Sequence, residues 1–123
     1  FNLDRSKVGE PWQDPWEFYQ KVKQHIAYVH VKDCLNPSPE NNDQELYVYP
    51  GEGDGRVLEI MTGLKNSGYS GGISIEPHLA AVFHSADSIN KTDEDPKEIY
   101  VHYGRCLMEM LDSIGYNYEA YLP

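Results

Sequence analysis

Long apolar runs are missing from this chain of 123 residues. No stretch approaches the ~20 residues that span a bilayer, and no charged-then-apolar leader of the secretory kind is found. Cysteine is nearly absent too. Cys34 and Cys106 are the whole complement and show no CxxC spacing. That is too few for a disulfide scaffold, and a reducing, cytoplasmic compartment is expected. Basic residues are also scarce, with 10 Lys and Arg against 20 Asp and Glu and a net charge of −10. Nucleic-acid binding needs Lys and Arg in clusters against phosphates, so the charge argues against that class. What is present is ten tyrosines, 40% apolar residues and the length of one globular domain. The balance suits a small-molecule enzyme or a binding module.

Residues 1–13 read as polar and irregular. Asp14-Pro15 then marks a helix start, with Asp14 capping free N–H groups and Pro15 at the first helical position. Trp16, Tyr19, Val22 and Lys23, with Phe18 beside them, follow at surface-helix spacing to about Gln24. Ile26 to Val31 is a β-branched apolar run, the pattern of a strand buried on both faces. Residues 36–45 are a solvated loop, and Leu46 to Tyr49 a short extended piece before the glycine-rich turn at 50–55. Val57, Ile60 or Met61, and Leu64 share one face of a second helix that stops near Gly68. Ile73 to Glu76 is a second short strand, ended by Pro77. A polar loop at 84–95 precedes Asp95-Pro96, another capped start. Ile99, Tyr103, Leu107, Met110 and Ile114 make the stripe of a last helix ending at Gly115. The aromatic tail from Tyr116 packs back on the body or on a neighbour.

Strands alternating with helices predict parallel βα units, whose chemistry gathers at the C-terminal strand ends. The first strand ends His30-Val31-Lys32-Asp33 and the second Glu76-Pro77-His78. Imidazole and carboxylate at neighbouring strand ends suit a divalent cation with mixed nitrogen and oxygen ligands. The alternative is a hydrogen-bonded core histidine beside a solvated glutamate. His78 and His84 lie where a substrate contact is open to them, whereas His102 falls within the last helix. Cys34 is placed to line the pocket but has no nucleophile-activating neighbours. Gly51-Glu52-Gly53-Asp54-Gly55 is no phosphate loop, because its two carboxylates repel a phosphate. It reads as a turn whose Glu52 or Asp54 caps the next helix or pairs with a neighbouring loop. The sequon Asn90-Lys91-Thr92 carries no weight without a sign of secretion.

Tyr28-Val29-His30-Val31-Lys32-Asp33, Pro50-Gly51-Glu52-Gly53-Asp54, Leu64-Lys65-Asn66-Ser67-Gly68-Tyr69-Ser70-Gly71 and Ser74-Ile75-Glu76-Pro77-His78 occur in that order. Together they resemble the sugar phosphate isomerase/epimerase superfamily, the xylose isomerase-like TIM barrels that include endonuclease IV. The resemblance runs from about residue 12 to 115. It implies an α/β fold in which residues 1–123 form the C-terminal part of one (β/α)8 barrel, strands seven and eight with their helices. It also implies that His30 and Glu76 are ligands of a divalent metal (Mn, Mg, Co or Zn). Glu76 is then half of an acid/base carboxylate pair acting on the carbon next to a carbonyl. The family's partner glutamate and an aspartate ligand come from earlier strands and have no matching positions here. Lys32 either holds a substrate oxygen or pairs with Asp33 or Glu52.

The expected function is a metal-dependent isomerase or epimerase of a small sugar, sugar phosphate or polyol. The alternatives are a non-catalytic barrel acting as a binding module and, against the acidity, a nuclease of the endonuclease IV type. Two strands cannot close a barrel, and barrels of this kind run to about 250 residues. The chain therefore reads as part of a longer protein; standing alone, it would cover its free strand edges as a homo-oligomer.

Overall fold

Both Asp-Pro pairs open helices, as their capping chemistry dictates. The computed structural model describes residues 13–42, 45–79 and 95–119. In α1 (Pro15–Val22), the Asp14 carboxylate accepts from the amides of Trp16 and Glu17 at 2.8 and 3.0 Å. A 3-10 turn at Lys23–His25 then leads into strand β1 (Tyr28–Val31). Strand β2 (Asp33–Leu35) follows at once and pairs antiparallel with β3 (Leu46–Val48). Helix α2 (Val57–Asn66), strand β4 (Gly72–Ile75) and helix α3 (Pro96–Ser113) complete the order. At the start of α3, Asp95 caps Lys97.

The result is a small mixed α/β domain, with three α-helices and two two-stranded sheets among the described residues. β1 and β4 run parallel, with His30 opposite Ser74 and Val31 opposite Ile75. The Glu76 amide donates to the Val31 carbonyl at 2.9 Å and carries the ladder one residue past β4. Among the described residues, each strand of this pair leaves its other edge unpaired.

One face of the parallel pair carries the core. Val29 and Val31 are buried with Tyr19 of α1, four residues of α2 (Val57, Ile60, Met61, Leu64), and Leu107 and Leu111 of α3. Ile73, Ile75, Met110 and Ile114 pack against them. Burying a side chain of this size is worth about 1.5–3 kcal/mol, so this cluster outweighs any surface pairing in the molecule. The α3 stripe is Ile99, Tyr103, Leu107 and Leu111, with Met110 and Ile114 at its margin.

The other face is open, which corrects the expectation of a strand buried on both sides. Burial alternates along β1, and Tyr28 is 55% exposed. A sheet of two strands covered by helices on one side leaves every second side chain in solvent. β2 and β3 extend the fold where only a loop and a short extended piece were expected. Tyr116 and Tyr118 do pack back on the core, and the Tyr116 hydroxyl donates to the Tyr69 carbonyl at 3.1 Å. His84, the sequon at Asn90 and most of the 84–95 loop lie outside the described residues, as do residues 1–12. Among the described residues no helix is long and apolar enough to cross a membrane.

Candidate functional site

The pleat decides which strand-end side chains meet. Side chains two residues apart point to the same side of a strand. Tyr28, His30 and Lys32 therefore rise on the open side from β1, and Ser74 and Glu76 do so from β4. Register sets Ser74 beside His30, and its hydroxyl lies 3.1 Å from the imidazole Nδ1. The Tyr28 ring stacks tilted on His30 at 5.2 Å between centroids.

Glu76 is the electrostatic centre. Its Oε1 is 2.9 Å from His78 Nε2, and the carboxylate remains 44% exposed. The hydrogen bond from His78 is the main cause that holds its pKa below the ordinary carboxylate value. Burial pushes the pKa up, second in size to that hydrogen bond, and the nearby charges of Lys32, His78 and His30 each add a lesser downward pull. His78 is in turn covered by the Tyr47 ring at 4.6 Å, supplied by β3. The structure thus brings His30, Lys32, Glu76 and His78 to one side of the strand ends. Ser74 and Tyr47 join them and were not singled out in the sequence. The signal for Ser74 was its even spacing from Glu76; Tyr47 needed the β2–β3 pairing.

A groove of about 510 Å³ runs along β1 and is lined by His30, Lys32 and Glu76 together with Val57, Ile60 and Met61. That volume lies in the range of small-molecule sites.

Asp33 belongs to a different arrangement. It is 2% exposed, and its carboxylate is surrounded by backbone N–H groups. Cys34 and Gly55 donate to Oδ1 at 3.0 and 2.9 Å, and Gly51 and Gly53 donate to Oδ2 at 2.9 and 3.1 Å. Burial pushes its pKa up against the downward pull of these four donors. The glycine-rich turn is therefore a cradle for Asp33. Glu52 and Asp54 do not cap the next helix, as the sequence reading allowed. Asp54 accepts from the Asn36 amide at 2.8 Å and Glu52 from the Tyr49 amide at 3.4 Å. The N-cap of α2 is Arg56, in the left-handed region with φ 52°, and no side chain caps it. With the Asp33 carboxylate taken up by the turn, the electrostatic partner of Lys32 is Glu76. Cys34 is buried in β2 and does not line the groove beside β1.

The donor set on the open side, one imidazole and one carboxylate with a second imidazole bonded to it, suits a borderline divalent cation in chemical type. It is half a coordination sphere. Among the described residues no group of three His, Cys, Asp or Glu side chains gathers in a way that could hold a metal. No family model, curated protein or solved structure matches the chain.

Proposed function

We propose that the open side of the β1–β4 pair is the strand-end portion of a metal-dependent isomerase or epimerase centre. Its substrate class is a small sugar, sugar phosphate or polyol, and the chain is the C-terminal part of a (β/α)8 barrel. The observation that carries this reading is the convergence of His30, Lys32 and Glu76 on one side of two adjacent parallel strands, at their C-terminal ends. The ordered motif resemblance supports it, as does a groove of small-molecule size ending at these residues.

His30 and Glu76 would hold the cation, with further ligands from strands outside this chain. When bound, the cation polarises the substrate carbonyl and stabilises developing negative charge on oxygen. The residues present do the rest. Glu76, kept ionised by His78 and Lys32, removes a proton from the carbon beside the carbonyl. Lys32 steadies a substrate oxygen, and His78 fixes the carboxylate by its 2.9 Å hydrogen bond. Ser74 holds the imidazole of His30 through Nδ1, and Nε2 would be the nitrogen left to ligate.

The test uses the full-length protein. Metal analysis should find a bound divalent ion, or affinity for Mn²⁺, Mg²⁺, Co²⁺ or Zn²⁺. A panel of ketoses and inososes should contain a substrate, and Glu76→Gln should abolish turnover while the protein stays folded. No divalent affinity, or a near-normal rate in that variant, sinks the reading. A second reading, a binding module without turnover, is favoured by the half-complete ligand set; it predicts sugar binding in calorimetry with no exchange of substrate C–H protons with solvent.

A further inference from the structure

His102 and Cys106 stand four residues apart on α3, so their side chains share one side of the helix. His102 is exposed and Cys106 half-buried. The structure brings His102 Nε2 to 3.7 Å from Cys106 Sγ. A tetrahedral zinc ion, with metal–sulfur and metal–nitrogen bonds of about 2.3 and 2.0 Å, needs those two atoms about 3.5 Å apart. The pair therefore already stands at the bite of such a cation. The Tyr49 ring meets the His102 imidazole edge-on at 4.4 Å, which limits its rotation. Desolvation raises the Cys106 thiol pKa, and the negative charges of Glu109 and Glu52 raise it further. Ligation requires the thiol to lose its proton, so the negative charges of Glu109 and Glu52 bear on the site only as a surrounding that a cation neutralises.

We propose that His102 and Cys106 form a two-point site for a borderline-soft divalent cation of the zinc class. Water fills the remaining positions, since no third side chain completes the set among the described residues. Binding replaces the thiol S–H with a metal–sulfur bond and sends the proton to solvent; nothing is oxidised or reduced. Two protein ligands with open positions make an exchangeable site rather than a structural one. It is separate from the His30–Glu76 centre and does not depend on it.

Cadmium titration of the full reduced chain tests this, because only sulfur ligation produces the ultraviolet thiolate-to-metal charge-transfer band. The band should appear at one equivalent of Cd²⁺ and be displaced by Zn²⁺. It should vanish in Cys106→Ser and persist in Cys34→Ser and Glu76→Gln. His102→Ala should weaken cadmium affinity at least about tenfold, the scale on which lost ligand support shows. His102 is exposed and Cys106→Ser is close to isosteric at a half-buried position, and circular dichroism checks that the helix is intact. No band, a band that survives Cys106→Ser, failure of Zn²⁺ to displace it, or unchanged affinity in His102→Ala each overturns the site.

Discussion

Two carboxylates stand at the ends of adjacent parallel strands, and the fold treats them in opposite ways. Asp33, just past β1, is 2% exposed and accepts four backbone N–H bonds. Glu76, just past β4, is 44% exposed and is held by an imidazole. The first has spent its acceptor capacity on the protein, so it is a structural element. The second keeps lone pairs facing solvent, and its charge is maintained by groups that can also contact a ligand. Position at a strand end is therefore not enough to name a functional acid. What its oxygens already bind decides the matter.

The comparison is broken most directly at Asp33. Asp33→Asn turns an amide NH₂ towards backbone donors and leaves buried N–H groups unpaired. A loss of about 3 kcal/mol or more is expected, a large share of a small domain's stability. Urea unfolding followed by tryptophan fluorescence measures it, and a loss below about 1 kcal/mol would remove Asp33 from the structural side. Next comes Gly55→Ala. Its methyl group would meet Asp33 Oδ1 at 2.6 Å, and the forced shift should cost about 1–3 kcal/mol in the same assay.

Glu76 should answer through titration rather than unfolding. Its folded pKa is depressed, so the stability it contributes is complete above the ordinary carboxylate value and is lost as pH falls through the depressed one. Glu76→Gln should therefore lose that contribution near neutral pH, a small one for so exposed a carboxylate, and should converge with the parent in acid, where the parent's Glu76 is protonated too. A stability curve against pH that coincides with the parent's would refute the assignment. Smaller effects follow from its neighbours. His78→Ala removes the main cause of the depression, and the Glu76 carboxyl should titrate closer to its ordinary value in carbon-detected NMR. Lys32→Met should move it in the same direction by less, because only a nearby charge is lost. A larger shift in Lys32→Met than in His78→Ala would reverse the ranking of the two partners.

These contrasts also show which features local sequence could carry. Asp14-Pro15, Asp95-Pro96 and the stripes of α2 and α3 are local signals, and they set the helices within a residue or two. His30 and Glu76 were marked by chemical type at the ends of short β-branched runs. Their common side could not be read, because it depends on the register that puts Ser74 opposite His30. The β2–β3 pairing was missed for a physical reason. Three-residue strands joined across a ten-residue loop leave no alternation to detect. The Asp33 cradle spans 18 to 22 residues of sequence. The alternate glycines at 51, 53 and 55 were visible, yet nothing near them in the chain names the carboxylate they hold.

The cradle has a consequence in time as well as in energy. Gly51 lies on the surface of an outward-facing turn, where an amide would ordinarily exchange its hydrogen with water quickly. Here its N–H shares one acceptor group with those of Gly53 and Gly55. None of the three should be released singly, since each opening must displace the same buried carboxylate. In deuterium oxide the three alternate amides should therefore exchange slowly and at a common rate, as one cooperative unit.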